Sequence, residues 1–136
     1  LDMLEEGAAS LASAVGVLAS PGALPAVFHC AAGKDRTGVL AALVLSLLGV
    51  DDDVIAADYG LSRLGMDRMV EYIRVTYPDR FDAMSGQPAA FLGAPEAAMH
   101  LFLDELRARH GSVAAYVEAI GVDAAVVDAL RANLLE

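Results

Sequence analysis

One ten-residue stretch, His29-Cys-Ala-Ala-Gly-Lys-Asp-Arg-Thr-Gly38, holds the only cysteine of the chain, Cys30, the only lysine, Lys34, and an arginine, Arg36, six positions beyond the cysteine. The Pro25–Cys30 segment before it reads as a short buried strand and the Thr37–Leu48 run after it as a helix. A chain that turns from strand into helix aims several backbone N–H groups at one point. The helix dipole adds roughly half a positive charge there, so the turn favours an anion such as phosphate. Arg36 adds a planar guanidinium that can hold two phosphate oxygens at once, a contact lysine cannot reproduce. The same field acts on Cys30. A free thiol with pKa about 8.5 is only a few per cent ionised at neutral pH, whereas helix N-termini and nearby cations bring thiols to roughly 3.5–7.5. A drop of about three units corresponds to about 4 kcal/mol in favour of the thiolate. Cys30 is therefore a candidate nucleophile beneath a bound phosphate, with Ala31, Ala32, Gly33, Lys34, Asp35 and Arg36 as the candidate substrate-binding loop. Thr37 is placed to donate its hydroxyl to the sulfur, and a ring hydrogen bond from His29 would fix the cysteine backbone. Gly33 lets the loop turn close to the ligand, and Gly38 lets the helix pack tightly on what lies behind it. An inert buried cysteine at a strand end is the commoner situation, but it leaves the glycine, arginine and threonine at these offsets unexplained.

The elements that must carry this loop are mostly helical. Residues 2–19 show an apolar stripe at Leu4, Leu11, Val15 and Leu18, opened by Asp2 and Glu5 in capping-box spacing and stopped by Ser20-Pro21-Gly22. Gly49 supplies the residue that ends the Thr37–Leu48 helix. Further helices are expected over 51–64, 66–75, 95–110, 112–120 and 123–135, with a break at Tyr77-Pro78 and a loop over 85–93. The three carboxylates Asp51, Asp52 and Asp53 read as capping and as complement to a helix dipole rather than as calcium ligands, because no EF-hand spacing follows.

The chain has 136 residues, 14.1 kDa, which suits one domain. A hydrophobic content of 57% with mean hydropathy +0.50 supports a packed core and excludes a disordered tail. One cysteine excludes an internal disulfide, and no apolar run reaches the roughly 18 residues needed to span a bilayer. The net charge of −10 disfavours nucleic acid and anionic lipid unless the few cations are concentrated in one place. Residues 112–134 imitate a helix-turn-helix, but Arg131 is their only cation against Glu118, Asp123 and Asp128, so no nucleic-acid partner is expected. Gly33-Lys34 lacks the following serine or threonine of a nucleotide-binding loop. A sulfur-transfer loop is disfavoured by Arg36-Thr37-Gly38. Asp2, Glu5 and Glu6 make the wrong charge pattern for a signal peptide. The expected location is cytoplasmic, with secretion left open by a start at Leu1 rather than methionine.

The string HCAAGKDRTG resembles the signature of the cysteine-dependent protein tyrosine phosphatase superfamily, Cys-x5-Arg followed by Ser or Thr. It is most similar to the bacterial tyrosine/serine phosphatases, a group that includes dual-specificity and phosphoinositide phosphatases. The likeness extends to Leu48-Gly-Val50, Asp58-Tyr-Gly-Leu-Ser62, Gly111-Ser-Val-Ala-Ala-Tyr116 and Ile120-Gly-Val122. It implies an α/β fold, a parallel sheet flanked by helices, of which this chain would be the mostly helical C-terminal part of a longer phosphatase domain with one clear strand. It also implies two-step phosphomonoester hydrolysis: Cys30 attacks phosphorus, a cysteinyl-phosphate forms, and water releases phosphate, while Arg36 and the loop amides hold the equatorial oxygens. No metal or organic cofactor is implied, and the partner is a phosphorylated protein or phosphoinositide. The alternative is a catalytically inactive phosphate- or phosphoprotein-binding module of the same fold, against which the retention of both Cys30 and Arg36 argues. For the general acid, the resemblance favours Asp35 in the loop. Asp2 is the only aspartate upstream of Cys30 and is already accounted for by capping.

Around this loop, Lys34 reads either as a second cation for a polyanionic substrate or as a solvent-exposed ion pair with Asp35. Asp58 and Tyr59 are expected to pack near the loop and orient it. In relatives the region corresponding to 51–84 forms a lid, which would bring Arg63, Arg68, Arg74 and Arg80 towards the substrate. The spacings Arg63–Asp67 and Arg68–Glu71 favour ordinary solvated helix pairs instead.

Overall fold

In the computed structural model, residues 2–84 and 93–135 are described, and the elements among them are helices. In chain order they are α1 (Asp2–Glu6), α2 (Ala8–Ala19), α3 (Asp35–Leu47), α4 (Asp52–Gly60), α5 (Ser62–Thr76), α6 (Pro78–Met84), α7 (Glu96–His110), α8 (Val113–Ala119) and α9 (Ala124–Leu134). The helix expected over 2–19 is interrupted at Gly7, although backbone bonds continue through it from Gly7 N to Met3 O and from Leu11 N to Gly7 O. A side chain at position 7 would collide with the Met3 carbonyl, so only glycine lets α1 and α2 meet this closely. The capping role expected of Asp2 concerns a side chain outside the described ones, as does its candidacy as an acid, and most of the loop expected over 85–93 also lies outside the described residues.

Local signals set most boundaries. Ser112 accepts from Ala115 N and Asp123 from Val126 N, each at 2.9 Å, satisfying one of the free amides that open α8 and α9. Gly49, at φ +86°, follows the end of α3 in the left-handed conformation that stops a helix. Asp51 behaves differently from expectation: its side chain caps nothing, and the charge effect comes from Asp52 and Asp53 in the first turn of α4. Asp52 is taken by Arg107 of α7, which grips both carboxylate oxygens, one of them at 2.7 Å. In α5, Glu71 pairs with Arg74 rather than Arg68, since a carboxylate placed N-terminal to its cation is the better helical arrangement. Arg63 lies 4.0 Å from Asp67, and Arg68 has no ion pair among the described residues.

The core forms where α2, α3, α4, α7, α8 and α9 turn their apolar faces inward. Leu43, Ile55, Leu103, Leu106 and Leu130 are its largest fully buried side chains. Each contributes about 1.5–3 kcal/mol relative to exposure. α4 packs along α7 and α9 along α2. Tyr116 donates from this core to the Leu4 carbonyl at 2.8 Å and so fastens α1 to α8. By contrast α5 buries only Met66. None of the helices is long and apolar enough to cross a membrane.

The one clear strand expected at Pro25–Cys30 is not found. The segment is non-helical but pairs with no neighbour among the described residues, and Val27 is 93% exposed. A strand exists only through inter-strand hydrogen bonds, so β-forming residues alone leave an irregular segment here. The parallel sheet is likewise not seen among the described residues.

Candidate active site

The segment 25–30 runs into the loop 31–34, which feeds directly into α3. Gly33 sits at φ +66°, a conformation costly for any residue with a Cβ, and this turn folds the loop back over the start of the helix. Lys34 is the N-cap of α3, and Asp35, Arg36 and Thr37 form its first turn, where backbone amides lack intrahelical partners.

Cys30 sits at the focus of those amides. Burial pushes its thiol up, but hydrogen bonds from the Thr37 hydroxyl and from the N–H groups of Thr37, Lys34 and Gly33 outweigh it, and the pKa falls from 9.0 to about 6. Thr37 acts twice, because its Oγ1 also accepts from the Cys30 N–H at 2.9 Å and so fixes the cysteine backbone. On the other side, His29 Nδ1 lies 3.1 Å from the Cys30 carbonyl oxygen, a hydrogen bond in the tautomer with its proton on Nδ1. The arrangement favours the thiolate of Cys30 at neutral pH.

Arg36 projects from the first turn of α3 with an exposed side chain and no ion pair among the described residues, so its guanidinium is available to an incoming oxyanion. Lys34 pairs with Asp35 as one of the two expectations had it, its ammonium 3.4 Å from Oδ1, but the pair is not solvent-exposed on the lysine side: Lys34 is 4% exposed, and its ammonium donates to the Gly93 carbonyl at 2.9 Å. Asp35 is about half exposed and receives a second contact on the same oxygen, from the Tyr59 hydroxyl at 3.4 Å. Tyr59 reaches it because its ring packs against Gly38, where an added Cβ would stand 2.7 Å from Cδ2. Burial and the neighbouring Asp35 carboxylate push the Tyr59 phenol up, so it remains a donor. Ala31 and Ala32 are exposed along the rim. A cleft of about 520 Å³ opens beside Cys30 and Arg36, walled on its far side by Glu6, Gly7 and Leu11 of the α1–α2 junction.

Two members of the site carry weak sequence signals. Gly93 contributes only a carbonyl, to which residue type is irrelevant. Tyr59 belongs to a stretch expected to orient the loop, but nothing in its spacing specifies Asp35 as its partner.

The model of the tyrosine phosphatase family matches residues 1–136. A triple specificity protein phosphatase, PtpB, of Mycobacterium tuberculosis is 32% identical over 121 residues, covering 82% of this chain and 44% of the relative. A tyrosine-protein phosphatase of Nostoc commune is 30% identical over 116 residues, covering 79% of this chain and 38% of its own. A putative tyrosine-protein phosphatase of Cupriavidus necator is 61% identical over 33 residues, 24% of this chain and 12% of the relative. The chain thus spans less than half the length of these curated relatives. With residues 1–136 matched by the family model, the chain belongs to the tyrosine phosphatase family.

Proposed function

We propose that this chain supplies the nucleophile and phosphate-binding loop of a phosphatase that hydrolyses phosphomonoesters of proteins. The observation that carries the reading is the Cys30 thiol, held at a pKa of about 6 by the amides and hydroxyl at the start of α3. In the first step the Cys30 thiolate attacks phosphorus. The S–P bond forms, the P–O bond to the leaving group breaks, and a proton passes from the Asp35 carboxyl to the departing oxygen. In the second, water attacks the cysteinyl-phosphate, its proton passes to Asp35, the S–P bond breaks and the thiolate returns with release of phosphate. Arg36 holds two equatorial oxygens throughout, strongest where charge builds in the transition state. Proton delivery is typically worth about 10²–10⁴ in rate.

A lowered thiol pKa together with an Arg36 that has no ion pair among the described residues favours turnover over a binding-only module. For substrate, the resemblance to a relative named a triple specificity protein phosphatase supports a range wider than one kind of phosphorylated residue. The case for phosphoinositides rests on the resemblance to a group that includes phosphoinositide phosphatases and on Lys34 as a second cation for a polyanion; the engagement of Lys34 with Gly93 weakens the second support and favours protein monoesters. The exposure of Val27 on a non-helical segment with no pairing partner among the described residues supports a further reading, that 25–30 pairs with strands supplied by other parts of the phosphatase domain.

The decisive experiment compares hydrolysis of p-nitrophenyl phosphate by the full protein and by its Cys30→Ser variant. Loss of turnover with retained binding of inorganic phosphate is expected, and undiminished turnover overturns the mechanism. A panel of phosphotyrosine, phosphoserine and phosphoinositide substrates on the intact protein then tests the substrate class. Faster turnover of the lipid would overturn the preference for protein.

A further inference from the structure

Two donors from different parts of the fold converge on one atom of the candidate acid. The Lys34 ammonium and the Tyr59 hydroxyl each lie 3.4 Å from Asp35 Oδ1, while Oδ2 has no partner among the described residues. A carboxyl whose Oδ1 faces the ammonium of an ion pair and accepts from a hydroxyl carries its proton on the other oxygen, since a proton on Oδ1 would stand against both. The two donors are themselves fixed. Lys34 is buried and bonded to the Gly93 carbonyl, and Tyr59 is held by the contact of its ring with Gly38 and by the packing of α4 along α7.

We propose that Tyr59 is a positioning residue which, with Lys34, clamps Asp35 through Oδ1 and thereby leaves Oδ2 as the oxygen that delivers the proton to the leaving group. The inference rests on the reading of Asp35 as general acid. It also gives Lys34 a place in the loop other than contact with substrate. The glycine at position 38 is part of the same device, because a side chain there would lift the tyrosine ring away from α3.

The test uses the full protein and two aryl phosphates, p-nitrophenyl phosphate with a good leaving group and phenyl phosphate with a poor one. Asp35→Asn is expected to slow kcat for phenyl phosphate more than for p-nitrophenyl phosphate. Tyr59→Phe, which keeps the ring on Gly38 and removes only the hydroxyl, is expected to repeat that selectivity more weakly. The loss of one hydrogen bond corresponds to about a 3- to 10-fold fall in kcat for phenyl phosphate. KM and inhibition by inorganic phosphate should stay at the parent values. In the Asp35→Asn background, Tyr59→Phe should add less than about a twofold loss, since both act through one carboxyl. Equal slowing of both substrates by Tyr59→Phe, or its full effect persisting beside Asp35→Asn, would show that the tyrosine serves packing alone and overturn the inference while leaving the acid in place. A flat leaving-group response to Asp35→Asn itself would remove the general acid, and the clamp with it.

Discussion

Replacing Thr37 by valine tests how the fold makes a nucleophile. At a pKa of about 6, roughly ten thiolates stand against each thiol at pH 7, whereas at the ordinary 9.0 the ratio is about one to a hundred. Burial opposes ionisation, so the four hydrogen bonds must supply the whole decrease, and the Thr37 hydroxyl is the largest of them. A hydrogen bond to a charged group is worth about 1.5–3 kcal/mol, or about 1–2 pKa units. Valine keeps the branched shape and removes the hydroxyl, so Thr37→Val should move the Cys30 midpoint to between about 7 and 8, while Thr37→Ser should hold it near the parent value. The midpoint is read from the pH dependence of iodoacetamide alkylation or from thiolate absorbance, and Cys30 is the only thiol of the chain. Because the midpoint rather than a single rate is compared, the greater intrinsic reactivity of a more basic thiolate does not distort the result. The acid limb of kcat/KM should move by the same amount. A midpoint that stays at about 6 in Thr37→Val would refute the reasoning, since the amides alone would then account for the ionised sulfur.

The same thiol links stability to pH. Its pKa is lower in the folded chain than in the unfolded one, so between about pH 6 and 9 unfolding takes up a proton and stability from this group rises with pH, being lost as pH falls through about 6. Chemical denaturation should show this slope in the parent relative to Cys30→Ser, and a difference independent of pH would contradict it. Gly38→Ala should force the Tyr59 ring off α3 and cost about 1–3 kcal/mol, the range for an overpacked contact; a melting temperature equal to the parent's would mean the ring yields freely. Tyr116→Phe should cost about 1–2 kcal/mol by leaving the Leu4 carbonyl without its donor. Hydrogen exchange should then rise in α1 before α3, and uniform protection would contradict the fastening role. Arg107→Met should leave Asp52 unpaired and raise its carboxyl from the depressed value that the arginine maintains, visible by NMR titration; an unmoved Asp52 would show that the ion pair is not formed in solution.

Features legible in the sequence are those set within a few residues. Ser112 and Asp123 cap helices because the amides they satisfy lie three positions on. Gly33 and Gly49 mark turns because the left-handed conformation is local to one residue. The candidate phosphate loop is legible for the same reason, since Cys30, the amides of Gly33 and Lys34, and Thr37 all fall within eight consecutive residues. Where two local partners competed, as Arg68 and Arg74 did for Glu71, spacing alone named the wrong one, and the direction of the pair along the helix decided it.

What the sequence by itself determined is therefore the loop that carries the candidate nucleophile, the amides around its sulfur and most of the helices, because each rests on short-range geometry. Only the tertiary structure decided where Lys34 goes, since its acceptor is a carbonyl 59 residues away that any residue type could provide. It likewise brought Tyr59 to Asp35 across 24 residues and Arg107 to Asp52 across 55. The Pro25–Cys30 segment marks the same boundary from the other side: its residues favour a strand, but a strand is made by the neighbour that pairs with it, and among the described residues there is none.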